Sequence, residues 1–362
     1  MPPPSSTFPG TPKNPKQGDA PDMFAAMVSA GFPSPPMNHI DLPGPFSIAF
    51  YSLAILLGIA LAVVVATRLW KSRGGDGDDI LSAALWAVVF GIIGARIYHV
   101  ISSPDAYFGE GGDLLRTVQI WQGGLSIIGA VAAGSVAVWI FCRRNGIKFG
   151  AFADAIVPGV ILAQAIGRWG NWFNQELYGG PTTLPWGLQI DTDQPHQALP
   201  PGASEFTTFH PTFLYESLWN LLGFIALVWL YKRFQFKQGL LAWTYVAYYM
   251  MGRFWIESMR RDEPDKSTQF PLEFIGLDWR LNQIVAFVVF LIAIAALIWL
   301  FSRRPRTDEA LAEELEIHTP ASEQRNPVAG HKVDQDALKG TPETDPSGSD
   351  SETGRGQFRS KK

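Results

Sequence analysis

The chain has 362 residues and a formal net charge of −4, and 47% of its residues are hydrophobic, an average that an ordinary soluble protein also shows. Its 29 Lys and Arg are spread along the chain instead of gathered in a stripe, which leaves no footprint for nucleic acid. A single cysteine, Cys142, excludes an internal disulfide framework and a multi-cysteine metal site; next to Arg143 and Arg144 at the end of an apolar run, it reads as a small filler.

Residues 1–44 are rich in Pro, Ser and Gly and are predicted to form a flexible segment. No basic start followed by a cleavable apolar stretch precedes Phe46, so the first apolar run is expected to remain as a helix. Runs of roughly the 20 residues needed to cross a bilayer core lie at 46–70, 80–101, 124–142, 149–172, 211–231, 239–257 and 281–301. The short connections after the first, third and fifth runs carry Lys71 and Arg73, then Arg143, Arg144 and Lys148, then Lys232, Arg233 and Lys237; Arg303, Arg304 and Arg306 follow the seventh. Basic loops face the cytoplasm. The stretch 174–209 has no Lys or Arg but carries Glu176, Asp191, Asp193 and Glu205, which places it outside. These features predict an all-α polytopic membrane protein of about seven transmembrane helices, N-terminus out and C-terminus in. A transmembrane domain at 45–302 would carry a small extracytoplasmic cap at about 174–209, rich in Gly/Pro turns, and a disordered cytoplasmic tail would occupy 303–362.

Polar residues inside the runs mark the chemistry, because an arginine near a bilayer centre costs about 2.5–3.5 kcal/mol on insertion scales. Run four ends in a stretch where, at about 100° per residue, Gln164, Arg168, Asn171 and Gln175 share a narrow sector, so a guanidinium and three amides are expected to converge. Such a fork of donors suits a phosphate ester. Run six closes with Arg253, Glu257 and Arg260 at helical spacing. His210 and Pro211 open run five, with Tyr215 and Glu216 entering its apolar stretch; His210 is a candidate proton-handling group. Arg96 sits among small residues in run two, Tyr51 near the start of run one, and Gly123-Gly124-Leu125-Ser126 leads into run three. All are expected toward one leaflet. No metal cluster or nucleotide fingerprint is present in the sequence.

These residues resemble the prolipoprotein diacylglyceryl transferases of bacteria. The run-four stretch is similar to that family's signature Gly-Arg-x-Gly-Asn-x-x-Asn-x-Glu-x-x-Gly, met here by Gly167, Arg168, Gly170, Asn171, Asn174, Glu176 and Gly179. Further blocks follow in the family's order: Gly94 to Tyr98, Gly123 to Ser126, His210 to Glu216, Gly252 to Phe254 with Glu257 and Arg260, and Leu281 to Gln283. One departure is Ile128, which stands where the family often has a histidine.

The resemblance implies transfer of diacylglyceryl from phosphatidylglycerol to the lipobox cysteine of a preprolipoprotein signal peptide. The enzyme would lie in the bacterial cytoplasmic membrane with its site toward the extracytoplasmic leaflet, and would use no cofactor and no metal. It implies Arg168, Arg253, Glu257, His210 and Tyr51 as catalytic residues, and Arg168, Asn171, Asn174, Glu176, Gly179, Arg96 and Arg260 as substrate-binding ones. The alternative reading is a transporter or flippase for an anionic lipid, which would also need buried arginines; the absence of convincing self-similarity between the two halves argues against it.

Overall fold

The structure, a computed structural model, describes residues 31–43, 47–108, 112–191, 207–234, 237–260, 279–303, 307 and 315–318. Seven long helices run through the described residues: α1 (Phe50–Lys71), α2 (Gly77–Ser102), α3 (Ile127–Arg144), α4 (Phe149–Phe173), α5 (Thr212–Arg233), α6 (Leu240–Met259) and α7 (Leu281–Ser302). Each matches one predicted run. Six are long and apolar enough to cross a membrane, and the chain is an all-α polytopic membrane protein. The helix that falls short is α6, whose 20 residues include Thr244, Tyr245, Tyr248, Tyr249, Arg253, Glu257 and Ser258, all of which lower its mean hydropathy.

Helix α4 is central and packs on α1, α5 and α6, while α2 pairs with α3 and α6 with α7. Small residues set how close these helices come. A Cβ on Gly94 of α2 would lie 2.6 Å from the Gly129 carbonyl oxygen of α3, and one on Gly159 of α4 would lie 2.6 Å from the Ala62 oxygen of α1. The main apolar cluster, with Trp70, Phe152 and Ile161 essentially inaccessible and Cys142 buried among them, fills the end of the bundle where α1 turns into α2. At that end Asp154 of α4, 1% exposed, accepts from the backbone N–H groups of Gly239 and Ala242 at 2.8 Å each, thereby capping α6 from a neighbouring helix.

The opposite end carries the cap. A hairpin of β1 (His39–Asp41) and β2 (Ser47–Ala49) leads into α1, and β3 (Leu188–Gln189) pairs antiparallel with β4 (Thr208–Phe209). The segment expected to be flexible through residue 44 is ordered from residue 31 at the positions described. Phe32 bridges to Leu188, its N–H donates to the Gly187 oxygen at 2.7 Å, and Trp172 Nε1 donates to the Pro33 oxygen at 3.0 Å. Its ring meets Trp172 and Phe213 edge-on, an anchoring that a Pro-rich composition does not reveal. Residues 1–30, with Asp193, Glu205 and the turn cluster at 199–202, lie outside the described residues.

Within the stretch expected to be a disordered tail from residue 303, residues 315–318 are described. Ile317, 9% exposed, joins the main apolar cluster; its carbonyl accepts from the Lys148 N–H at 2.9 Å, His318 bridges to Ile147, and Gln238 Nε2 donates to the Glu316 oxygen at 2.7 Å. This strap ties the start of α4 to the start of α6. Most of the rest of the tail, including Lys361 and Lys362, lies outside the described residues. Ile317→Ala is predicted to cost about 2 kcal/mol, the lower end for emptying a buried isoleucine site. Thermal melting of the detergent-purified protein checks this, and an unchanged midpoint contradicts it.

Candidate active site

Three helices bring one charged cluster together at the cap end of the bundle. Arg168 comes from the last turns of α4, Glu216 from the first turns of α5, and Arg253 and Glu257 from the last turns of α6. Glu216 bridges the two arginines: its Oε2 lies 2.5 Å from Arg168 Nε, and its Oε1 accepts from Arg253 Nη1 at 3.0 Å. Glu257, only 2% exposed, accepts from Arg253 Nη2 at 2.9 Å, Arg260 Nη1 at 3.0 Å and Asn282 Nδ2 of α7 at 3.1 Å, with Arg280 at 3.7 Å. The arginine side chains of 168 and 253 are 20% and 19% exposed, whereas Glu216 is 6%. The carboxylates therefore lie deeper, behind the partly exposed guanidinium groups they hold.

The turn after α4 positions Asn171. Helix α4 ends at Phe173, and Gln175 and Leu177 then adopt φ of 50° and 60°, a region sparsely used by residues with side chains. This reversal folds Glu176 back onto the helix end, where its Oε1 accepts from Asn171 Nδ2 at 2.8 Å and from Asn174 Nδ2 at 3.4 Å. With its N–H groups so held, Asn171 presents Oδ1 to Arg168 Nη1 at 3.5 Å. Asn174 and Glu176 thus act as ties within the turn. Gln175 Oε1 accepts from the Asp191 N–H at 2.7 Å, and Thr212 Oγ1 donates to the Leu177 oxygen, so the turn is fastened to the cap and to α5.

Two signature glycines are spaces for neighbours. A Cβ on Gly170 would lie 2.4 Å from Tyr51 Cδ2, so the missing side chain admits the Tyr51 ring against the last turn of α4, within electrostatic reach of Arg168 and Glu176. A Cβ on Gly179 would lie 2.7 Å from His210 Cβ; here the backbone threads between His210, whose oxygen accepts from the Gly179 N–H at 2.9 Å, and the end of α6, where Gly179 bridges to Arg260.

The sequence-predicted residues do not all converge. Arg168, Asn171, Arg253, Glu257 and Arg260 lie in one network, with Tyr51, Asn174, Glu176 and Gly179 around it. The His210 ring instead places Nδ1 3.1 Å from the Tyr215 hydroxyl, which also accepts from Trp186 Nε1 at 3.0 Å. Arg96 is engaged with the loop between α2 and α3, donating to the backbone oxygens of Arg116, Thr117, Gly123 and Gly124. Among the described residues neither bonds to Glu216 or Glu257. The predicted convergence of three amides on Arg168 is reduced to Asn171: Gln175 lies beyond the helix end, and Gln164 Nε2 donates to the Tyr245 hydroxyl at 3.0 Å. Sequence reasoning noted Glu216 as a carboxylate entering an apolar run but gave it no role, and passed over Tyr249, which hydrogen-bonds Arg168 from one turn before Arg253.

A family model described as prolipoprotein diacylglyceryl transferase matches residues 38–299. The chain belongs to that family. A relative in Streptomyces coelicolor, named phosphatidylglycerol--prolipoprotein diacylglyceryl transferase 2, is 49% identical over 77% of this chain and 84% of its own length. Like-named relatives in Cutibacterium acnes and Frankia alni are 46% and 48% identical, over 76% and 80% of this chain and 89% and 72% of their own. Membership of a transferase family does not favour the lipid transporter alternative.

Because Glu257 gathers several donors at 2% exposure, Glu257→Ala is predicted to destabilise the protein by about 3–5 kcal/mol, the cost of leaving buried charges without their counter-ion. Thermal melting in detergent reads this. A loss within error of a surface substitution contradicts the role.

Proposed function

We propose that the protein moves the diacylglyceryl group of phosphatidylglycerol onto the lipobox cysteine thiol of preprolipoproteins, forming a thioether and releasing glycerol phosphate. The observation that carries this reading is the convergence of Arg168 and Arg253 on one buried carboxylate, in a chain whose relatives bear the name of this activity. The thiol comes from the substrate, so Cys142, buried at the far end of the bundle, has no part.

The thiol gives up its proton to water, and as the thiolate sulfur attacks the glycerol carbon the bond between that carbon and the phosphate oxygen breaks. The electron pair stays with phosphate, which passes from one negative charge toward two. Arg168 and Arg253, facing the phosphate, bind this developing charge more strongly than the starting diester, and such a difference is what lowers a barrier. Glu216 and Glu257 orient the guanidinium groups from behind. Asn171 steadies Arg168, Tyr51 closes the α1 side, and Arg260 adds positive charge. Asn174, Glu176 and Gly179 keep the turn in shape, Arg96 anchors the neighbouring loop, and His210 serves through Tyr215.

We place the enzyme in the bacterial cytoplasmic membrane with this cluster toward the extracytoplasmic leaflet. Support comes from the basic connections: Lys71 and Arg73, Arg143 and Arg144, Lys232 and Arg233, and Arg303 all sit at the helix ends opposite the cluster. Seven spans follow if α6 crosses with its polar face turned into the bundle.

Arg168→Ala and Arg253→Ala are each predicted to lower turnover by roughly 10²–10³-fold, the usual cost of losing one donor to a developing oxyanion. The assay follows labelled diacylglyceryl from phosphatidylglycerol to a lipobox peptide. Wild-type protein that binds the lipid but makes no thioether contradicts the proposal.

A further inference from the structure

Behind the arginine cluster lies a second polar layer, of which only Tyr249 is engaged with the arginines. On α4, Gln164 is one turn deeper than Arg168; on α5, Asn220 is one turn deeper than Glu216; on α6, Tyr249 and then Tyr245 lie one and two turns deeper than Arg253. One turn is about 5.4 Å. The outer layer is charged and this inner one is neutral. It is also incompletely satisfied: Asn220, 1% exposed, has Nδ2 without a hydrogen-bond partner, and Gln164 Oε1 has none either. Buried unpaired amides deep in an apolar bundle are costly, and few native proteins keep them without use.

Open space lies beside Gly167 of α4, close to Gln164 in the sequence. A Cβ on Gly167 would meet no atom within 4 Å. Gly167 follows Gln164 by three residues, on the same side of α4 and next to Arg168. Turning the Gln164 amide over, which interchanges two nearly isosteric groups, lets Tyr245 donate its hydroxyl proton to Oε1 and frees Nε2. The layer then holds two unpaired buried amide donors, Gln164 Nε2 and Asn220 Nδ2, and no orphaned Gln164 oxygen.

Resting on the function proposed above, we propose that Asn220 and Gln164 form a subsite for the ester carbonyls of the donor lipid. In a phosphatidyl lipid the two acyl esters sit on the other two glycerol carbons, one adjacent to the carbon that carries the phosphate and one beyond it. With the phosphate held by Arg168 and Arg253 and the acyl chains pointing into the bilayer, the carbonyls fall at this depth. They are neutral acceptors that need neutral donors. The subsite aligns the glycerol carbon with the incoming thiol and selects diacyl lipids over dialkyl ethers, which present the same phosphate and chains but no carbonyl.

The test measures kcat/KM for transfer to a lipobox peptide from diacyl phosphatidylglycerol and from its dialkyl ether analogue of equal chain length, in the same micelles. The wild type favours the ester by roughly 10-fold, the factor expected when about two ordinary hydrogen bonds are lost. Asn220→Leu, which keeps the volume and removes the donor, lowers this ratio severalfold, and Gln164→Leu does the same; Asn220→Ser, which keeps a donor, retains part of it. The ratio is independent of the amount of folded enzyme, so partial misfolding cannot imitate the effect. Equal use of both lipids by the wild type, or an ester preference unchanged in both leucine variants, overturns the subsite while leaving the transferase reading intact. Transfer from neither lipid overturns the transferase reading and the subsite with it.

Discussion

Glu216 is the buried anion around which the bundle is organised. It belongs to α5 but holds Arg168 of α4 and Arg253 of α6, so three helices meet through one carboxylate. Bringing two guanidinium groups and a carboxylate out of water is expensive, and their attraction offsets the cost only where the geometry is good and the remaining polar atoms find partners. The surroundings meet much of that requirement, with Glu216 Oε2 held by its ion pair to Arg168 and by no hydrogen bond. Glu257 takes the second face of Arg253, and Asn171 and Tyr249 reach Arg168. In the proposed reaction Glu216 stays behind the two guanidinium groups and leaves their exposed edges to the phosphate.

Precision at this cluster depends on features at both ends of the helices. At the cap end, the left-handed residues Gln175 and Leu177 turn the chain back so that Glu176 clasps Asn171, while Phe32 and Trp172 brace the same turn from the N-terminal side. At the far end, Asp154 caps α6 from α4, and the strand of tail at Ile317 crosses the starts of both helices. The two helices that carry the arginines are therefore joined at their distant ends as well. A catalytic geometry held within a fraction of an ångström requires such second supports.

Much of the fold was legible because hydropathy is a local property. All seven helices fall on the predicted runs, and their limits shift by a few residues at most. The failures share a cause, which is that pairing between distant segments leaves no local mark. Phe32 beside Leu188 and Ile317 beside Lys148 are short extended contacts within Pro-rich or acidic, polar surroundings, and composition hides them. In the site, the charged residues stood out one by one against apolar runs, but their partners did not. Helical spacing suggested that Gln164 and Gln175 face Arg168; the helix stops before Gln175, and Tyr245 claims Gln164. The resemblance implied Arg96 as a substrate-binding residue, and in the structure its guanidinium donates to four backbone carbonyls of the neighbouring loop, which helical spacing does not reveal.

The central claim is that Arg168 and Arg253 grip a single phosphate. The most direct measurement is a double-mutant cycle on kcat/KM, using Arg168→Lys and Arg253→Lys, which keep the charge but lose the planar fork. Two residues serving one anion act as a unit, so the double variant is predicted to lose far less than the product of the two single losses. A double loss equal to that product would mean that the arginines serve separate groups, and the account would be contradicted.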